Sequence, residues 1–402
     1  MSQEQASTQA GGPATGNRHR RLLMVEQGGR GGVADYTGEL TRALAAAGWR
    51  VQLATAADHS YEPAPGVNVH RVFHYVRGRT STGRLVRRLR LGPIANGARF
   101  LLAIPRLASL ARRVDLVHVQ GWEFAPLGVV AILALRLTGR SVVQTSHNTF
   151  ERGRSLDRTH RALARMTAFT IVHTQADLAR VPREANDRVA VIPHGEYEPL
   201  ARRGGEVDRG GARAALGIEP GVPVTLLFGQ LRPDKGLDDL LAALHRIPEL
   251  RLLVGGQEAG ALAATRAELE SPRLAGRVTV REGFLDMSDA ALLFAATDTV
   301  ALPYRVASQS GVLLLAYAFR RPVVVYPVGG LAEAVVEGET GWVCERADVD
   351  ALTDALAGCV AAGWPECRRR GEAGAVLAHE RFSWPAIARR TGEVYREALA
   401  GE

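Results

Sequence analysis

The chain alternates between short apolar blocks, glycine-bearing turns and stretches whose apolar residues recur at helical spacing. Leu22 to Val25 is such a block and reads as a buried strand. The turn Gln27-Gly28-Gly29-Arg30-Gly31-Gly32 follows. Val33, Tyr36, Leu40, Leu44 and Ala47 then share one helix face, Gly48 ends the helix, and Val51 to Ala54 is the next strand. The alternation continues through Asp115 to Trp122, Ser141 to Thr145, Phe169 to His173, and Val189 to Gly195. Thr174, Gln175 and Asp177 have the composition of a helix start. It begins again with Val224 to Phe228, Leu252 to Val254, Val278 to Val280 and Thr299 to Leu302. Ser288 is expected to cap a helix before the last of these. Strand–loop–helix repetition of this kind predicts an α/β fold with doubly wound, Rossmann-like parallel sheets and ligands at the strand ends.

A chain of 402 residues is long for one core and suits two domains. The boundary falls near Leu200. Residues 1–20 are expected to be a disordered tail, 21–200 the first domain and 201–385 the second. Arg202 to Gly211 would be the linker, and a final helix, 386–400, would return to the first domain.

A net charge of +8 adds a preference for an anionic partner: a nucleotide sugar, an acidic membrane surface or nucleic acid. Arg84, Arg87, Arg88 and Arg90 interleave with Leu85, Val86, Leu89 and Leu91. That run is either a solvated helix face or a patch for anionic lipid headgroups. It has no aromatic residues for base stacking, which argues against nucleic acid. Ala125 to Leu135 is too short to span a membrane and stops at Arg136, so it reads as a helix packed on a sheet. Three cysteines without zinc-ligand spacing, and no apolar leader at the N-terminus, point to the cytoplasm.

Two loops carry candidate chemistry. Ser308, Gln309, Ser310 and Gly311 precede the apolar run Val312 to Phe319, which aims backbone N–H groups and hydroxyls at the positive end of a helix. Either a phosphate or plain helix capping would use them. In Gly229-Gln230-Leu231-Arg232-Pro233-Asp234-Lys235-Gly236, two cations three residues apart precede a helix and can neutralise a diphosphate. Gly29-x-Gly31-x-x-Ala34 formally fits a dinucleotide fingerprint, but Thr55 and Ala56 stand where its acid is expected. His118, inside a strand, is expected to be a satisfied core histidine.

Several segments together resemble family-4 glycosyltransferases of GT-B architecture. They are Gly31-Gly32 with Tyr36, Leu40, Leu44 and Gly48; Asp115 to Trp122; the strand end Ser146-His147-Asn148; "VIPHG" at 191–195; Gly229 to Gly236; and Pro322-Val323-Val324 followed by Gly329-Gly330-Leu331-Ala332-Glu333 and Gly338-Glu339-Thr340-Gly341. The resemblance implies two Rossmann-like domains facing a central cleft, with the nucleotide-sugar donor in the second and the acceptor in the first. It implies that Arg232 and Lys235 bind the diphosphate beside Gly229 and Gln230. Ser310, Gly311 and Val312 would hold phosphates, with Ser308 and Gln309 in the same loop, and Gly31 and Gly32 would lie beneath. The loop with Phe284 would face the base, although Phe284 could equally be core. His147 would face the cleft, and Gln120 stands where related enzymes have a histidine. Two glutamates common in the family are replaced by Ala307 and Leu315. Implied further are retention of configuration, no metal and no cofactor beyond the nucleotide-sugar co-substrate. The acceptor would be a glycan or lipid-linked molecule of cell-envelope polysaccharide synthesis, met at the inner face of the plasma membrane. A transferase for soluble small molecules and a noncatalytic sugar-binding or partner-activating subunit remain as alternatives.

Overall fold

The computed structural model describes residues 20–62, 64–76, 92–122, 125–147, 161–181, 187–307 and 309–401. Ser308, Asn148, the arginine run 84–90 and residues 1–19 of the expected tail lie outside them.

Two parallel sheets dominate. The first has the order β3-β2-β1-β4-β5-β6-β7. Its strands are β1 (Arg21–Val25), β2 (Arg50–Ala56), β3 (Val67–Phe73), β4 (Leu116–Gln120), β5 (Ser141–Thr145), β6 (Phe169–Val172) and β7 (Val189–Val191). The second has the order β10-β9-β8-β11-β12-β13, from β8 (Val224–Phe228), β9 (Arg251–Gly256), β10 (Val278–Glu282), β11 (Thr299–Leu302), β12 (Val323–Val325) and β13 (Gly341–Val343). The helices used below are α1 (Gly32–Ala46), α2 (Gly92–Ala111), α3 (Ala125–Arg136), α4 (Gln175–Leu178), α5 (Leu237–Arg246), α6 (Gly311–Ala318), α7 (Val349–Phe382, broken at Gly363) and α8 (Trp384–Ala400).

Strands β4 and β5 are buried along their whole length, because helices cover both faces of a parallel sheet, and their polar residues His118, Gln120, Ser141, Gln144 and Thr145 are buried with them. Strand order reverses between β1 and β4 and again between β8 and β11. Each reversal opens a crevice at the carboxyl ends of the strands, the usual ligand position in such sheets.

The chain crosses back at α8. Ile387, Ala388, Val394 and Tyr395 join Leu40, Leu44 and Trp49 in the core of the first sheet. The Trp384 indole N–H donates to the Glu196 carbonyl at 2.8 Å, and Glu196 N–H donates to the Phe382 carbonyl at 2.8 Å. A Cβ at Gly195 would stand 2.5 Å from the Trp384 ring, so the crossing needs glycine there.

Two local expectations change. Asp286, not Ser288, caps the helix Met287–Ala296, in a reciprocal capping box with Asp289. The expected linker is docked rather than loose: Asp208 caps the helix Arg209–Ala215, whose Arg209 and Arg213 grip Asp298 at 2.6 and 2.8 Å.

Candidate functional site

The two switch points face each other, and Tyr197 stands between them. Gly31 caps α1 with φ 83°, a left-handed value that glycine adopts without strain. Ser310 caps α6, its hydroxyl accepting from Leu313 N–H at 3.3 Å. A Cβ on Gly311 would fall 2.6 Å from the Tyr197 hydroxyl, and one on Gly32 would fall 4.0 Å from it. The positive ends of α1 and α6 therefore approach each other from opposite sheets, with the Tyr197 hydroxyl between them.

The loop after β8 packs against the first turn of α6. Gly229 has φ 111°, and a Cβ there would lie 3.3 Å from Val312 Cγ2. Gly236 (φ 70°) turns the chain into α5, where any Cβ would overlap the Pro303 carbonyl at 2.3 Å. The Lys235 ammonium sits 3.4 Å from the centre of the Tyr304 ring, a cation–π contact. Burial raises the pKa of the Tyr304 phenol, and the nearby Ser310 side chain opposes that rise. Burial pushes the Lys235 pKa down to about 8; neighbouring Arg232 adds to this and Asp234 opposes it. The Arg232 guanidinium grips Asp234 through two bonds of 2.8 and 2.7 Å, so the two cations are not equivalent. Gln309 is half-buried, Gln230 is exposed at the mouth, and Ala307 and Leu315 are packed into the core of the second sheet. Phe284 is 86% exposed on the loop after β10, which removes the core reading.

Opposite these loops, a cavity of about 650 Å³ is lined by Glu26, Gly31, Gly32, Gln120, His147, Arg161, Arg180 and Gln230, among others. His118 is satisfied in the core between Tyr395 and Thr145 at 2.5 and 2.8 Å, as its strand position implied. His173 Nδ1 faces the Ile192 carbonyl at 2.9 Å and must carry a proton there. Burial lowers the pKa of His173 to about 4 and holds that of His147 well below the ordinary value, so both rings are neutral at pH 7. His173 Nε2 then accepts from His147 Nδ1 at 3.1 Å, and His147 Nε2 is left with a lone pair. Gln120 Oε1 is placed 2.9 Å from that nitrogen, an acceptor against an acceptor, so the amide is assigned the flipped orientation in which its NH₂ donates. Both His147 nitrogens are thus committed. Tyr36 packs its ring against His147, His173 and His194 at 4.9, 5.3 and 4.7 Å.

Three residues here were not among the expected site residues. Glu26, buried at the end of β1, accepts from Gly28 N–H and Gly29 N–H at 2.7 Å each, from the Tyr61 hydroxyl at 2.8 Å and from Thr55 at 3.1 Å. It shapes the glycine loop that roofs the cavity. Glu333 reaches from the second domain to accept from Gln175 and Ala176 N–H at 3.1 and 3.0 Å, at the start of α4. Tyr197 is the third. Only the glutamate of the Gly-Gly-x-x-Glu segment stood in a named motif, and its partner on α4 did not.

Family models match both halves of the chain. "Glycosyl transferase 4-like domain" covers residues 31–195 and "Glycosyl transferases group 1" covers 222–362. The D-inositol 3-phosphate glycosyltransferase of Segniliparus rotundus is 30% identical over 415 residues, covering 93% of this chain and 86% of that protein. The enzyme of the same name from Kribbella flavida is 29% identical, covering 96% and 97%. Among solved structures, sucrose-phosphate synthase from Thermosynechococcus elongatus superposes with a TM-score of 0.75 at 23% identity, over 95% of this chain and 100% of that one. Anabaena HepE in complex with UDP and glucose gives 0.72 at 19%, over 94% and 100%. At those identities the two structures attest the fold.

Proposed function

Because the chain belongs to the family-4-type glycosyltransferases of GT-B architecture, we propose that it transfers a sugar from a nucleotide-sugar donor held at the carboxyl edge of the second sheet to an acceptor held in the first-domain cavity. One observation carries this reading: the positive ends of α1 and α6 meet at the Tyr197 hydroxyl, and the loop after β8, which bears Lys235 on the Tyr304 ring, packs through Gly229 against Val312 in the first turn of α6. Fixed amide dipoles and one ammonium, aimed where charge develops on a departing diphosphate, stabilise the transition state without a metal. Lys235 is the principal cation in this scheme. Arg232, shared with Asp234, holds the loop and adds its positive charge.

The proposed stereochemistry is retention. His147 has no uncommitted ring nitrogen and Gln120 cannot take a proton, so the leaving phosphate oxygen receives the proton of the acceptor hydroxyl. Gln120 orients a sugar hydroxyl. The acceptor is a glycan or lipid-linked molecule at the inner face of the membrane, and the base lies against the loop bearing Phe284. The cavity also suits a phosphorylated polyol of the kind in the relatives' names, since Arg161 and Arg180 line it. The noncatalytic reading is favoured by one observation, the apolar Ala307 and Leu315 at the family's glutamate positions.

Donor turnover by the purified chain, with chelator present, separates these readings. Wild type is expected to release nucleoside diphosphate, and Lys235→Ala to release it about a hundredfold more slowly. Absence of turnover with every common nucleotide sugar, or full turnover by Lys235→Ala, overturns the catalytic assignment.

A further inference from the structure

Helix α3 is apolar all round up to Arg136, a composition normally confined to fully covered helices. Only one of its faces is covered. Ala131, Ile132 and Leu135 pack on the sheet, whereas Pro126, Val130, Leu133 and Leu137 form an exposed stripe at intervals of four, three and four residues. Neighbouring α2 repeats the arrangement: Phe100, Ala103, Leu107 and Ala111 are buried, and Ile94, Leu101 and Leu102 are exposed. Ile94 is 72% exposed, Leu102 78% and Leu137 87%. Of the eleven large apolar side chains exposed among the described residues, six stand on these two helices or the residue after α3, so the exposure is concentrated and not scattered.

The charge carried by the two helices and the residues just after them has one sign. Residues 92–114 and 125–140 contain Arg99, Arg106, Arg112, Arg113, Arg136 and Arg140 and no aspartate or glutamate. The next acid, Asp115, is engaged by Arg21 at 2.8 Å. On α2, Arg99 and Arg106 flank Leu102 one turn away on either side. Long arginine stems can lie along apolar surface while their heads reach outward to anions.

We propose that the exposed face of α2 and α3 docks on an anionic lipid bilayer, its leucines and isoleucine entering the headgroup boundary and its arginines meeting lipid phosphates. A second copy of the chain is the poorer occupant, because pairing the same face would set two pairs of arginine-bearing helices without acids of their own against each other. This deepens the membrane-face acceptor reading above. The face shares no residue with the cavity or the donor loops, so the two can fail separately.

The test is flotation of the full chain with phosphatidylcholine vesicles, with and without about one third phosphatidylglycerol. Wild type is expected to float with the anionic vesicles only. Leu102→Glu/Leu133→Glu should lower the bound fraction about tenfold or more, and Arg106→Ala/Arg113→Ala should lower it while donor turnover is unchanged. The proposal is overturned if wild type stays unbound with both vesicles, or if the Leu102→Glu/Leu133→Glu variant floats like wild type. A dimer in light scattering that this variant converts to monomer, without vesicle binding, also overturns it.

Discussion

Lys235 offers the sharpest test of the donor site, because its pKa of about 8 lies in an accessible range. The shift arises from burial and from Arg232, so the ammonium form is disfavoured while the site is unliganded. A bound diphosphate supplies the missing counter-charge and raises the pKa again. Donor binding is therefore coupled to protonation of Lys235. Below pH 8 the lysine is already charged and affinity is flat. Between pH 8 and the pKa of the bound state, affinity falls about tenfold per pH unit. The unliganded fold has the opposite sign. Its lysine pKa is depressed below the unfolded value, so stability rises as pH climbs from about 8 toward 10.5. Two opposed slopes from one residue are hard to produce by general alkaline damage.

Isothermal titration with a nucleotide sugar, whose own phosphates do not titrate in this range, measures the first slope; urea unfolding measures the second. Lys235→Arg keeps the charge throughout and should flatten both profiles. A flat wild-type binding profile from pH 7.5 to 9.5, or an equal slope in Lys235→Ala, would refute the contact between this ammonium and the donor.

The other predictions concern the residues that frame the cleft. Glu26→Gln keeps the shape but turns an NH₂ toward groups that are all donors, and should cost about 1–3 kcal/mol of stability in urea while raising the acceptor KM more than the donor KM; equal effects on both KM values would make Glu26 merely structural. Gly311→Ala places a methyl 2.6 Å from the Tyr197 hydroxyl and should weaken donor binding, with partial recovery in Gly311→Ala/Tyr197→Phe; strict additivity of the two changes would deny the close approach. Glu333→Ala should speed hydrogen exchange at the Gln175 and Ala176 amides about tenfold, and unchanged exchange would show that the contact does not hold the domains.

The fold was legible because its information is local. Glycines at 31, 229 and 236 marked turns that need positive φ, and apolar blocks marked strands covered on both faces. The donor loops were legible for the same reason, as cations and small residues ahead of helices. Illegible were the contacts made by long-range approach. A lone glutamate after a strand gives no sign that four donors surround it. The Tyr197 hydroxyl matters only because two glycines, 165 positions before it and 114 after it, come near. Arg232 looked equivalent to Lys235 until Asp234 was seen to occupy its fork. Helix α3 packs on the sheet as its sequence implies, but periodicity cannot distinguish one covered face from two, so its exposed stripe was not legible.

The replaced glutamates bear on how the donor is recognised. Leu315 is 4% exposed and Ala307 is 7% exposed, both within the core of the second sheet. On the proposed reading, neither position can offer a carboxylate to the sugar or the ribose, so those hydroxyls are met by backbone groups and by the first-domain wall around Gln120. Restoring the family residue then does not restore a contact. Leu315→Glu buries an unpaired carboxylate and should destabilise the fold by about 3 kcal/mol or more, with no gain in nucleotide affinity. Urea unfolding and nucleoside diphosphate titration of the variant check both halves. A variant of undiminished stability that binds the nucleotide more tightly would show that position 315 faces the ligand, and with it that the donor lies deeper along α6 than its capping residues.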